Sequence, residues 1–191
     1  GRFNQCFILG DSLLEALAVS TDLPIEVHLA VYEPETYIER FAKLGADYIA
    51  VQYEAMANPP AIFDLIRKYD AEPVLCYKSV TAPGPDFLSL AKETAWILKL
   101  TVQPGFSGQQ IQTQAIEHIK TMRLLLSEAG LSTPIQADGN VNASTVPLLA
   151  SAGADIFTGG SSGLFLKNSP LKENLSKLLR IANLNTIGNN Y

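Results

Sequence analysis

Residues able to move protons, ligate a metal or hold an anion recur at the ends of short apolar runs in this chain. His28 closes Ile25-Glu26-Val27, and an imidazole there can ligate a metal or shuttle protons near neutral pH. A satisfied core histidine is the plainer alternative. Asp138 follows Pro134-Ile135-Gln136-Ala137 and precedes Gly139-Asn140. A carboxylate so placed serves as a general acid/base or a hard metal ligand, or simply ends a strand in an Asx-type turn. Gln52, Glu54, Lys78 and Gln103 stand at other run ends. His118 sits beside Ile116 and Ile119 within a helical pattern and reads as a structural or surface residue.

Three glycine-containing turns add a second kind of chemistry. They are Pro104-Gly105-Phe106-Ser107-Gly108-Gln109, Asp138-Gly139-Asn140 and Gly159-Gly160-Ser161-Ser162-Gly163. Glycine lets backbone N–H groups approach an anion, and a following helix N-terminus adds a favourable dipole. Each turn alone is weak evidence, but their occurrence after consecutive late strands suits a phosphate site.

Such residues need a frame that gathers strand ends. Apolar runs Ile25 to Val31, Asp47 to Tyr53, Val74 to Tyr77, Trp96 to Val102, Ile135 to Ala137 and Ile156 to Thr158 read as strands. Helical spacing lies between them: Tyr37, Ile38, Phe41, Leu44; Ile62, Leu65, Ile66, Tyr69; Ile111, Ala115, Ile119, Met122. Further helices are expected over Pro85 to Lys92, around Val146 to Ala150, and at Leu171, Leu175, Leu178 and Leu179. Leu44-Gly45-Ala46-Asp47 and Ala152-Gly153-Ala154-Asp155 repeat one helix-to-strand joint, with glycine suited to the helix C′ position. About six βα units follow, with parallel strands and right-handed crossovers. Periodicity leaves a barrel and an open doubly wound sheet both possible, and in either the site lies beyond the C-terminal strand ends.

The 191 residues read as one domain, 1–191, with a polar tail from Asn183 to Tyr191. At 47% hydrophobic and 17% charged, the chain has the composition of a compact soluble protein. No apolar run approaches the ~20 residues of a membrane span, and a net charge of −5 without a basic stretch argues against nucleic acid. Cys6 and Cys76 form neither a disulfide framework nor a metal-type pair, so a reducing, cytoplasmic setting is expected.

The motifs resemble those of the ribulose-phosphate 3-epimerase family. Val27-His28-Leu29 with Glu33-Pro34-Glu35-Thr36-Tyr37-Ile38 resembles its His-Leu and Pro-Glu-x-Tyr-Ile segments. Leu100 to Gln109 resembles its strand ending in Pro-Gly-Phe-x-Gly-Gln. Ala137-Asp138-Gly139-Asn140-Val141 resembles its Asp-Gly-Gly-Val, and Gly160 to Phe165 the Gly-Ser stretch after the last strand. The resemblance implies an α/β fold, a (β/α)8 TIM barrel, of which this chain lacks the first βα unit and second strand. Gly1-Arg2-Phe3 looks like part of the family's Asp-Gly-x-Phe motif. The segment before it would carry a metal-binding His-x-Asp and the second catalytic aspartate.

It further implies an isomerase that epimerises a ketose phosphate at carbon 3, in the pentose phosphate pathway or on a ketohexose 6-phosphate. By resemblance, His28 and Asp138 ligate one divalent metal (Zn, Fe or Mn) and Asp138 is also an acid/base. The resemblance likewise implies that Ser107, Gly108, Gln109, Gly139, Asn140, Gly160 and Ser161 bind the substrate's phosphate. The expected partner is a small phosphorylated ketose, with no nucleic acid or membrane and with a homo-oligomer as the assembly. An aldolase-type synthase or a non-catalytic phosphosugar-binding barrel are the alternatives. Gln52 stands where the family has His, Ala30 and Leu100 where it has Met, Arg2 for His and Asn140 for Gly, while Lys78-Ser79 lacks the usual Pro. Ser161-Ser162-Gly163-Leu164-Phe165 is closer to the ketohexose 6-phosphate branch.

Overall fold

A computed structural model describes residues 10–105 and 108–187. Six strands alternate with helices: α1 (Asp11–Ala18), β1 (Glu26–Leu29), α2 (Glu35–Lys43), β2 (Tyr48–Gln52), α3 (Pro59–Lys68), β3 (Glu72–Tyr77), α4 (Phe87–Ala91), β4 (Ile97–Leu100), α5 (Thr113–Glu128), β5 (Ile135–Asp138), α6 (Val146–Ala152), β6 (Ile156–Thr158) and α7 (Leu171–Ile187). The sheet is wholly parallel and its order is β1-β2-β3-β4-β5-β6. That sequential order has no reversal point, so the doubly wound alternative is excluded.

The sheet curls. β1 and β5 are four strand spacings apart, which in a flat sheet is about 19 Å. Yet Gln136 of β5 donates from Nε2 to Glu26 Oε2 of β1 at 2.9 Å. Only a sheet bent towards a barrel lets these two side chains meet across its concave face.

Alternation of side chains gives the sheet two apolar faces. Ile49, Val51, Leu75, Tyr77, Ile97 and Ile135 point outward into the main core with helix residues such as Ile38, Phe63, Ile66 and Ile119. Each such buried aliphatic side chain contributes about 1.5–3 kcal/mol. Ala50, Val74, Cys76, Leu98 and Leu100 form a smaller cluster on the concave face. Burial on both faces explains why the strands read as continuous apolar runs.

The two Gly-Ala-Asp joints perform the same task. Gly45 and Gly153 take φ +104° and +105°, closing α2 and α6 in the left-handed region. Asp47 Oδ2 then accepts from Ile25 N at 2.7 Å, and Asp155 Oδ2 from Ile135 N at 2.8 Å. Each aspartate thus stitches its strand to the start of the preceding one. The structure adds α1, for which the sequence reading gives no element. Leu14 is its one buried residue and Gly10 provides no side-chain cap, so its pattern is faint. Asp138 is the last residue of β5 rather than the residue after it.

Candidate active site

Register decides how His28 and Asp138 stand to each other. His28 pairs with Ala50 and Ala50 with Val74. Leu75 pairs with Ile97 and Ile97 with Ile135, so the His28 row continues through Trp96 to Pro134. Asp138 lies four residues beyond Pro134, on the same face by strand alternation. Across the curled sheet, Gln136 of β5 meets Glu26 of β1 by hydrogen bond, so His28 and Asp138, each two residues further along its strand, lie on the concave face at about the same height.

Burial sets the chemistry of both groups. It pulls the His28 imidazole down to about 4, so the ring is neutral at pH 7. It raises the Asp138 carboxyl above the ordinary aspartate range. Glu26 is likewise raised, chiefly by burial and also by the Asp138 charge, against the bond from Gln136. Gln52, fully buried at the end of β2, sets Nε2 2.8 Å from His28 Nε2 and 3.1 Å from Cys76 Sγ. Gln52 Oε1 is buried with no hydrogen-bond partner among the described residues. A neutral His28 accepting from the Gln52 amide keeps its own proton on Nδ1.

The rim beyond the later strands is built from interlocked turns. Thr101 Oγ1 donates to Asp138 O at 3.1 Å and Gly139 O at 2.5 Å, tying the end of β4 to that of β5. Gly139 has φ +118°, and a Cβ there would fall 2.6 Å from Val102 Cγ2. Asn140, also left-handed at φ +49°, is fixed by Asn142 Nδ2 and Thr145 Oγ1, both of which donate to its carbonyl. Gly163 packs against this turn, where a Cβ would meet Val141 O at 2.4 Å. Gly160 and Gly108 face open space, with nothing within 4 Å of an added Cβ. Gly160 O accepts from the N–H groups of Gly163, Leu164 and Phe165, which winds one tight turn around the exposed Ser161. Gln109 folds back so that Nε2 donates to Gln103 O at 2.6 Å. Ser107 lies outside the described residues, as do Phe106 and Gly1-Arg2-Phe3.

Helix N-termini are not the immediate neighbours of these turns. α6 begins at Val146 and α7 at Leu171, so amides of the turns themselves are the nearer donors. A cleft of about 480 Å³ lies between Asn142, Ser144, Ser162 and the α7 residues Asn174 and Lys177, and neither His28 nor Asp138 lines it. Among the described residues, no three His, Cys, Asp or Glu side chains gather as a metal-type group. No helix among them is long and apolar enough to cross a membrane.

The sequence reading missed Glu26, Gln136 and Lys99. The first two are polar residues two positions before His28 and Asp138, a period that puts each pair on one face. Lys99 is a cation inside an apolar strand and is fully buried on the outer face.

A curled, sequential parallel sheet whose polar groups converge at the C-terminal strand ends defines a βα enzyme of the barrel type. Its backbone resembles 3-hexulose-6-phosphate synthase from Salmonella typhimurium, with TM-score 0.65 and 15% identity over 92% of this chain and 81% of that one. It also resembles a mutant tryptophan synthase alpha-subunit from Pyrococcus furiosus, with TM-score 0.61 and 15% identity over 88% and 71%. At such identities the likeness concerns the fold alone. In sequence, residues 1–165 match the family model for the ribulose-phosphate 3 epimerase family. The chain is 33% identical to ribulose-phosphate 3-epimerase of Bacillus subtilis (strain 168), over 85% of this chain and 75% of that protein. It is 34% identical to the enzyme of the same name from Chlamydia muridarum, over 88% and 74%. The chain belongs to the ribulose-phosphate 3-epimerase family and is an isomerase of the epimerase type.

Proposed function

We propose that this protein inverts carbon 3 of a phosphorylated ketose, with ribulose 5-phosphate as the first candidate and a ketohexose 6-phosphate as the second. The observation that supports this reading is the hydrogen bond between Gln136 and Glu26 across the concave face, two residues before Asp138 and His28, with the glycine turns after β4, β5 and β6 beyond those strand ends. The substrate's phosphate sits against the open backbone of Gly108, Gly160 and Ser161, with Gln109, Gly139 and Asn140 completing the turns; Ser107, outside the described residues, is a further proposed contact. Its carbon 3 then faces Asp138.

Asp138 acts as a base on one face of carbon 3 and, once protonated, as an acid. Burial favours its protonated form, which brings its basicity closer to the working pH. A second acid/base is needed on the opposite face, and the family resemblance implies a second aspartate for it. The donors present fit a divalent cation in kind: Asp138 gives a carboxylate, and with the Gln52 amide turned so that its unpartnered Oε1 accepts from His28 Nε2–H, the neutral His28 imidazole presents Nδ1 as a ligand. His28 and Asp138 would hold such an ion, Zn, Fe or Mn, and it would supply positive charge against the enediolate.

The test is exchange of the carbon 3 proton with solvent, followed by NMR in D₂O. Ribulose 5-phosphate and allulose 6-phosphate are offered in parallel to the full-length protein supplied with a divalent metal. Exchange with one of them is expected, and Asp138→Asn should lose it by more than the ~10²–10⁴-fold typical of a proton-transfer group. Exchange with neither sugar sinks the reading. Exchange that survives unchanged in the Asn variant moves the base elsewhere.

A further inference from the structure

We infer that Gln136 is a positioning residue whose amide braces β1 against β5 directly beneath His28 and Asp138. The inference rests on the reading of those two residues as the working pair. β1 and β5 are not neighbours in the sheet, and β2, β3 and β4 intervene. The bond from Gln136 Nε2 to Glu26 Oε2 at 2.9 Å spans the concave face between them. Glu26 is two residues before His28 and Gln136 two before Asp138, so the bond joins the two strands one layer below the pair.

The amide has one orientation that satisfies all its neighbours. Trp96 Nε1 is a donor only, and it donates to Gln136 Oε1. The NH₂ group is thereby turned towards two acceptors, Glu26 Oε2 and Thr158 Oγ1, the latter at 3.0 Å. One buried side chain thus links β1, β5 and β6 with Trp96 at the entry to β4. Trp96 is held in turn by Tyr48 of β2, with ring centroids 4.4 Å apart. Glu would set a carboxylate against Glu26, and an apolar residue would leave Trp96 Nε1 and Glu26 without their partner.

Groups that hold a metal-binding or catalytic side chain in place typically change affinity or rate by 10–100-fold when removed. The experiment compares wild type with Gln136→Leu, Glu26→Ala and Glu26→Gln as full-length proteins, each first shown to unfold cooperatively in urea. Three quantities are read: kcat and KM for the active ketose phosphate, Co²⁺ affinity from its visible absorbance, and the His28 to Asp138 separation in crystals. Gln136→Leu and Glu26→Ala should both lose about 10–100-fold in kcat and in Co²⁺ affinity, with KM within about 2-fold because the phosphate is held at other turns. Glu26→Gln keeps an acceptor for Gln136 Nε2 and should stay within about 3-fold of wild type.

Wild-type kcat and Co²⁺ affinity in a folded Gln136→Leu would overturn the inference. So would a loss confined to KM, or a loss in Gln136→Leu that Glu26→Ala does not share. If wild type itself proves inactive or binds no Co²⁺, the functional reading has failed, and the crystals still decide the brace. A wider His28 to Asp138 separation in Gln136→Leu supports it, and an unchanged one refutes it.

Discussion

Replacing Lys99 with Met separates the cost of a buried cation from the value of the bonds it makes. Lys99 is fully buried, and its Nζ donates to Lys78 O at 2.5 Å and Thr81 O at 2.6 Å. It thereby pins the start of the loop after β3, whose Lys78 N also donates to Glu54 Oε1 at 2.8 Å. Burial pulls the Lys99 ammonium from 10.5 down to about 8, with Glu54 acting the other way. At ~1.4 kcal/mol per pH unit, that drop is worth about 3 kcal/mol. Below pH 8 the amine is charged in both folded and unfolded chains, and the fold bears the whole desolvation cost. Between pH 8 and 10.5 the unfolded chain keeps the proton that the folded one has released, so this residue's contribution to stability rises with pH.

Lys99→Met removes the desolvation cost but leaves two carbonyls without their donor, at ~1–3 kcal/mol each. Near pH 7 the two effects nearly cancel. By pH 10.5 wild type should have gained about 3 kcal/mol over the variant. Urea unfolding of both proteins from pH 7 to 10.5 measures this. Tyr53 and Tyr77 are raised by burial and weaken the fold as they ionise at higher pH, but they do so in both proteins and cancel in the difference. A difference that changes by less than ~1 kcal/mol over this range would mean that the ammonium reaches water, and the argument fails.

Other substitutions test the turns and the core. Gly139→Ala should cost about 3 kcal/mol in urea unfolding, because it combines a left-handed φ with a Cβ driven into Val102. Gly160→Ala meets nothing and lacks a left-handed φ, so stability should hold within ~0.5 kcal/mol. KM for the sugar phosphate should rise about 10-fold if this backbone carries the anion. Tyr77→Phe should raise stability by about 1 kcal/mol, read as a higher Tm, since the buried Tyr77 hydroxyl has no partner among the described residues.

That His28 and Asp138 lie near the C-terminal ends of β1 and β5 was legible, because each comes late in an apolar run. The strand count was legible too, since β2 to β5 are largely buried on both faces and stand out as runs. Glu26 and Gln136 each lay in plain view two residues upstream. Their meeting was not legible, because it depends on an offset accumulated over four strand pairings. Lys99 was hidden by its context, since an apolar run tolerates one cation only when carbonyls such as Lys78 O and Thr81 O happen to converge on it. The α1 helix was missed because a stretch that buries only Leu14 leaves little periodicity to read.

The sequential order of the sheet also bears on how the chain folds. Paired strand residues are separated by 20 to 38 positions, whereas Glu26 and Gln136 are 110 apart. Closing a loop five times longer than the 22 residues between Glu26 and Tyr48 costs roughly 1.4 kcal/mol more in chain entropy. Local pairing can therefore proceed unit by unit, each new strand adding to an edge already formed. The concave brace comes last, once the sheet has enough strands to bend. Substitutions at Glu26 should then speed unfolding and leave the refolding rate nearly untouched, the kinetic mark of a contact absent from the transition state.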